Sequence, residues 1–242
     1  MMLYFIVFMT LCCYSYDMKN NELIIYHGSI SIIEKPQYGF GKPYNDYGLG
    51  FYCTQSLDLA KEWAVDATHN GYANKYRLDT TGLKILNLSK VGNVLHWIAI
   101  LLKNRTFNMK NDIAKAGKEY LIKHFSLPIE QYDVIIGYRA DDSYFAYADA
   151  FINNTISVRS LKEALKLGNL GEQIVVVSKK AFDQLSYLGY EEAESFTYYP
   201  SREMRNNAAR EGYIKCRTAQ FKPDDLFLND IMKGINENDP RL

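Results

Sequence analysis

Three short segments carry residue types that can hold a flat ring and polar groups around it. Tyr26-His-Gly-Ser29 places an imidazole and two small residues at the end of a β-rich run. Gly48-Leu-Gly-Phe-Tyr-Cys-Thr54 places Tyr52 just behind a glycine-rich stretch. Gly171-Glu-Gln-Ile-Val-Val-Val177 places Glu172 and Gln173 at the head of a β-branched run. An imidazole bonds through two nitrogens. A tyrosine ring stacks on planar groups such as nicotinamide or adenine. A glycine lets backbone approach a ligand closely. Each segment alone also has a plainer reading: a structural strand-end histidine, a core tyrosine, a solvated polar pair. Side chains alternate faces along a strand, so only one of Glu172 and Gln173 can point into a shared cleft.

Other clusters carry less. Asp141 and Asp142 suit metal or acceptor binding, but Asp at a loop end more commonly caps the following helix. Lys103-Asn-Arg105 could meet phosphates, or could simply complement the negative end of a helix. The four histidines are scattered, and the four cysteines (Cys12, Cys13, Cys53, Cys216) form no C-x-x-C pair. A metal site is therefore not expected, and the thiols read as reduced and cytoplasmic. No G-x-G-x-x-G follows a strand, which disfavours a Rossmann or P-loop nucleotide site. Lys plus Arg equal Asp plus Glu at 28 each, so no global field recruits nucleic acid.

The elements that must position these residues follow from periodicity. Leu23–His27, Phe51–Cys53, Tyr72–Leu78, Leu83–Leu88, Val134–Gly137 and Ile174–Val177 read as strands. Helices are expected from Asp58 onward, over Val94–Leu102, Ile113–Phe125, Tyr144–Ile152 and Leu161–Leu167, with Phe182–Leu188 as a helix or turn. Lys35–Gly50 is a turn-rich loop. Strands and helices mix without a βαβ rhythm, so the fold class is α+β. Residues 1–21 form an apolar extension, 22–190 the main domain, and 191–242 a polar, partly helical C-terminal extension. Met1–Cys13 is shorter than the roughly 20 apolar residues that span a bilayer, and it lacks the basic start of a secretory signal. No stable membrane association is expected. A start upstream of the natural one, at Met18, is the favoured reading of this segment, against an anchor or an extra strand.

Taken in order, the segments resemble the ADP-ribosyltransferase catalytic domain, in its His-Tyr-Glu branch with the poly-ADP-ribose polymerases. They resemble still more an uncharacterised bacterial family with Y-H-G-S, D-F-G-x-G-F-Y, A-x-x-W-A, K-N-R, Y-D-I-V-I-G, A-D-D and N-Q-I motifs. Those motifs fall here on Tyr26–Ser29, Asp46–Tyr52, Ala60–Ala64, Lys103–Arg105, Tyr132–Gly137, Ala140–Asp142 and Glu172–Ile174. The resemblance covers Leu23 to Leu188.

It implies a split pair of antiparallel sheets with flanking helices, and NAD as substrate. It implies that His27 bonds the adenosine ribose, that the Gly28 backbone pairs with the carboxamide beside Ser29, and that Tyr52 stacks on nicotinamide. Trp63 falls where the polymerases have a second stacking tyrosine, although a core position on its helix is an equal alternative. The catalytic position falls on Gln173 by register and on Glu172 by chemistry. A carboxylate at the ribose would stabilise an oxocarbenium-like centre better than an amide does. The implied function is mono-ADP-ribosylation of a protein or nucleic-acid acceptor, as in bacterial toxins and defence effectors, with a neighbouring-gene partner or antitoxin. The alternatives are NAD hydrolysis and a catalytically weak NAD- or ADP-ribose-binding module.

Overall fold

A computed structural model describes residues 21–90, 93–140, 142–166, 172–236 and 239–242. The expectations about the apolar N-terminal run, Cys12, Cys13, Asp141 and Gly171 lie outside the described residues.

In chain order, β1 (Glu22–Ser29) leads through the glycine-rich loop to β2 (Phe51–Cys53). Helix α1 (Leu57–Ala64) starts at Ser56, whose hydroxyl accepts the Leu59 N–H, so Asp58 sits in the first turn and is not the cap. The helix stops at Ala64, because Asp66 turns the chain by accepting the Thr68 and His69 N–H groups. Then come β3 (Gly71–Asp79) and β4 (Ile85–Asn87). Helices α2 (Val94–Asn104) and α3 (Asp112–Phe125) follow, capped by Asn93 and Asn111. After β5 (Val134–Tyr138) come α4 (Asp142–Ile152), α5 (Val158–Lys166) and β6 (Glu172–Val176). The chain ends with α6 (Lys179–Asp183), β7 (Leu185–Ala193), α7 (Ser195–Thr218) and α8 (Leu228–Met232).

The architecture is α+β with two sheets, of order β1-β3-β7 and β2-β6-β5-β4. The first is antiparallel throughout. The second is mixed, since β4 and β5 run parallel; the expectation of purely antiparallel sheets is corrected there. A parallel pair needs a crossover, and α2 and α3 supply it. Phe182–Leu188, expected as a helix or turn, is instead the end of α6 and the start of β7.

The second sheet is covered on both faces. Val134, Ile136, Ile174 and Val176 pack with Leu23, Ile25, Tyr76 and Leu78 of the first sheet. Ile135 and Val175 face the helical core built by Trp97, Ile98, Leu101, Tyr144 and Phe151. That is why β5 and β6 read as unbroken β-branched runs and not as alternating strands.

The expected boundary at residue 190 does not separate two cores. It falls inside β7, which pairs with β3 along its length. Beyond it, Ala209, Leu226, Leu228, Ile231 and Leu242 are buried in the helical core. Helix α7 is tied to α1 by two bonds from Arg205 to Glu62, at 3.0 and 2.9 Å.

Candidate functional site

Where the two sheets approach each other at one end, a cavity of about 610 Å³ opens, within the range of small-ligand sites. Strand β1 contributes His27, Gly28 and Ser29; the second sheet contributes Phe51, Tyr52 and Gln173. Trp63 comes from α1, Arg105 from the end of α2, Arg139 from the end of β5 and Arg202 from α7. The glycine-rich loop adds Phe40 and Asp46. The sequence-selected residues His27, Gly28, Ser29, Tyr52, Trp63 and Gln173 are thus together, and Glu172 is not with them.

His27 is oriented by one bond and one ring. Its Nδ1 lies 2.7 Å from the Tyr52 carbonyl oxygen. A carbonyl only accepts, so Nδ1 carries the proton and Nε2 is left as an acceptor. The imidazole stacks on Phe51 at 4.4 Å between centroids. Burial holds its pKa below the ordinary histidine value, against the pull of the Tyr52 bond.

Gly28 lies on the edge of its sheet. Two residues earlier, Tyr26 exchanges both backbone bonds with Thr54, at 2.7 and 2.9 Å. Backbone groups repeat direction every second residue in a strand, so the Gly28 N–H and C=O point the same way, toward the β2 side of β1 at the level of Tyr52. The missing side chain serves something other than ligand approach. A Cβ at Gly28 would collide with the Ala60 carbonyl oxygen and crowd the Ala64 nitrogen. The glycine is needed because α1 packs its backbone directly on β1. The Ser29 hydroxyl accepts the Ser31 N–H at 3.2 Å.

The Tyr52 hydroxyl is a loop anchor. It donates to the Gly48 carbonyl at 2.7 Å and accepts the Tyr47 N–H at 3.0 Å. Burial raises its pKa, which keeps it a donor. Tyr52→Phe is therefore expected to loosen the Tyr47–Gly48 turn and to cost about 1–2 kcal/mol, read as a lower melting temperature. An unchanged melting temperature would mean that the hydroxyl bonds add nothing to the loop.

Asp46 is the hub of the loop, and its role was not legible in the sequence. Its carboxylate accepts from Ala140 N–H at 2.8 Å, Arg105 Nη1 at 2.9 Å and Gln173 Nε2 at 2.9 Å. Asn104 Nδ2 donates to the Asp46 carbonyl at 3.2 Å. The Lys103-Asn-Arg105 segment, read as a phosphate contact or a dipole partner, instead clamps this loop through Asn104 and Arg105. Burial pushes the Asp46 carboxyl above its ordinary value, while Ala140, Gln173 and the nearby guanidiniums pull it back.

Gln173 is 4% exposed. Its Nε2 donates to Asp46 and, at 3.2 Å, to the Tyr138 carbonyl. Both partners are acceptors, which fixes the amide's orientation and leaves Oε1 as its remaining polar atom. Glu172, one residue away, accepts from the Ser89 hydroxyl and does not line the cavity. The alternative that Glu172 supplies the carboxylate at the site is corrected by strand alternation.

Trp63 lines the cavity, but its ring is not bare. The Arg139 guanidinium carbon stands 4.3 Å from the ring centroid. The indole Nε1 is buried and meets no acceptor among the described residues. Helix α4 begins at Asp142. Among the described residues, no group of three or more His, Cys, Asp or Glu is placed to hold a metal, and no helix is long and apolar enough to cross a membrane.

A family model described as protein of unknown function (DUF3990) matches residues 23–187. No curated protein and no solved structure matches the chain.

Proposed function

The chain belongs to the DUF3990 family, and we propose that it binds NAD in the cavity between its sheets and transfers the ADP-ribosyl group to a protein or nucleic-acid acceptor. The observation that carries this reading is the meeting of His27, Tyr52 and Gln173, far apart in sequence, around one cavity beside an unpaired strand edge. The reading extends to the fold, as a split pair of sheets of the ADP-ribosyltransferase kind.

Each group has a task that suits its geometry. His27 Nε2 accepts a ribose hydroxyl. The outward N–H and C=O of Gly28 match the oxygen and amino group of a carboxamide. Tyr52 presents its ring while its hydroxyl is spent on the loop. Gln173 Oε1 accepts the 2′-hydroxyl of the nicotinamide ribose. In the reaction the bond from C1′ to the nicotinamide nitrogen breaks, and its electron pair leaves with neutral nicotinamide. The acceptor then attacks C1′ and releases a proton. The Gln173 oxygen, polarised through its amide by the Asp46 carboxylate, faces positive charge developing on the ribose. A neutral amide stabilises that charge less than a carboxylate, which favours single transfer, or water as acceptor, over chain elongation.

Purified protein incubated with labelled NAD tests this directly. Nicotinamide release with label on a macromolecule is expected. Release without label would make the chain an NAD hydrolase, and binding without release would make it a binding module. Absence of NAD binding would remove the reading altogether.

The imidazole gives a pH signature. Protonating Nε2 removes the acceptor, and burial places that event below the ordinary histidine value of about 6.5. NAD affinity is expected to be flat through neutral pH and to fall only on acidification. His27→Ala is expected to bind about tenfold more weakly and to lose that component of the acid limb. Calorimetric titration at several pH values checks both; a limb centred well above 6.5 would contradict the assignment.

A further inference from the structure

We propose that Arg139 and Arg202 form an anion subsite for a diphosphate, so that helix α7, outside the segment matched by the family model, is part of the ligand site. The assignment deepens the dinucleotide reading by naming what holds its central charge.

Two observations converge. Arg139 and Arg202 reach the cavity from separate elements, one at the end of β5 and the other near the start of α7. Asp46, the one carboxylate among the described lining residues, already accepts from Arg105, Ala140 and Gln173. Among the described residues the lining thus carries three guanidiniums and one carboxylate. Such a wall fits oxygen-rich negative charge, and two guanidiniums fit two phosphates better than one carboxylate ligand.

Both cations are also held in place. Arg139 lies over the Trp63 ring. Arg202 Nη1 donates to the Val65 carbonyl at 2.9 Å, just past the end of α1. Helix α7 is fixed by the Arg205–Glu62 pair and by the Ser195 N–H on Asn70 Oδ1, at 2.8 Å. Cations held before binding lose less freedom when the anion arrives.

The test compares adenosine, ADP and inorganic pyrophosphate by calorimetry on the full chain. Wild type is expected to bind ADP at least about tenfold more tightly than adenosine, with a preference that falls as salt is raised. Arg202→Gln and Arg139→Gln are expected to reduce that preference severalfold each while leaving adenosine affinity unchanged. Arg202→Lys keeps the charge without the fork and should fall between. Melting curves identify any variant that fails to fold, and Arg202→Lys then carries the comparison. An unchanged ADP preference in folded Arg202 and Arg139 variants would overturn the subsite. If neither adenosine nor ADP binds but pyrophosphate binds in an Arg202-dependent way, the subsite stands and the dinucleotide reading falls. If pyrophosphate does not bind either, the subsite falls too.

Discussion

Gln173→Ala is expected to slow nicotinamide release by about a hundredfold or more while NAD affinity changes by less than about threefold. The magnitude follows from removing one preorganised polar group that meets charge appearing only in the transition state. Such a loss lowers turnover and leaves ground-state binding nearly untouched. Single-turnover release and equilibrium titration on the same folded variant separate the two. Wild-type turnover in Gln173→Ala would show that the amide does not face the reacting ribose. Glu172→Ala is expected to be mild, since that carboxylate is engaged by Ser89 on the other side of the strand. The structure reverses one expectation from chemistry alone. A carboxylate at 173 looks like an improvement until its neighbours are counted. Gln173→Glu would set a second carboxylate where Nε2 now meets Asp46 at 2.9 Å and the Tyr138 carbonyl at 3.2 Å. Acceptors would face acceptors, and the two acids would have to share a proton. Gln173→Glu is therefore expected to be less stable and slower than wild type.

Asp46→Ala should be among the most destabilising single changes at the site, by about 3 kcal/mol. It takes the Asp46 carboxylate away from the Arg105 guanidinium, whose side chain is 25% exposed, and from the buried Ala140 N–H. For a chain of this size that corresponds to a fall in melting temperature of roughly 6–12 °C. Asp46→Asn keeps the shape and one acceptor and should cost less, yet it removes the charge that polarises Gln173. The two effects part company with pH. Folding raises the Asp46 pKa through burial, so the folded chain binds that proton more tightly than the unfolded chain does. Its stabilising contribution is present at low pH and is lost as pH rises through the raised value. Turnover needs the ionised form and moves the other way. Between the ordinary carboxylate value and the raised one, acidification should thus stabilise wild type relative to Asp46→Asn while slowing it. Parallel changes in stability and turnover would mean that Asp46 does not act through Gln173.

Legibility in the sequence tracked how many faces of an element are covered. Strand β6 was plain because apolar layers cover both its sides, and selection for packing wrote four β-branched residues in a row. Strand β7 was missed because it is an edge. It carries Glu191, Glu192 and a glycine at φ 120°, beside a register shift opposite Lys75 and Tyr76. Those are features of a strand that must not pair further, and in sequence they look like a turn. The same holds for α7, which fully buries only Ala209 along its length and so reads as a solvated tail. Its part in the site appears only once α1 is seen beneath it. At the site, His27, Tyr52 and Gln173 were legible through their order along the chain. Asp46 was not, because an aspartate among Asn, Tyr and Gly has the composition of an ordinary turn. Its three donors come from residues 59, 94 and 127 positions away.

The contact between the two sheets has a mechanical consequence. Among the described residues they are joined outside their ladders by the backbone bridge of Tyr26 with Thr54, by the His27 Nδ1 bond to the Tyr52 carbonyl, and by the apolar layer of Ile25, Tyr76, Ile136 and Ile174. The two bonds of the bridge contribute about 0.5–1.5 kcal/mol each, whereas each fully buried aliphatic in the layer contributes about 1.5–3. The layer therefore decides that the sheets stay together, and it does so without directional preference. Such a seam resists separation strongly and sliding weakly. Any change in the cleft's width is therefore expected to come by shear, one sheet slipping over the other with every ladder intact. The bridge at Tyr26 and the neighbouring His27 bond to Tyr52 are where such a slip would be registered.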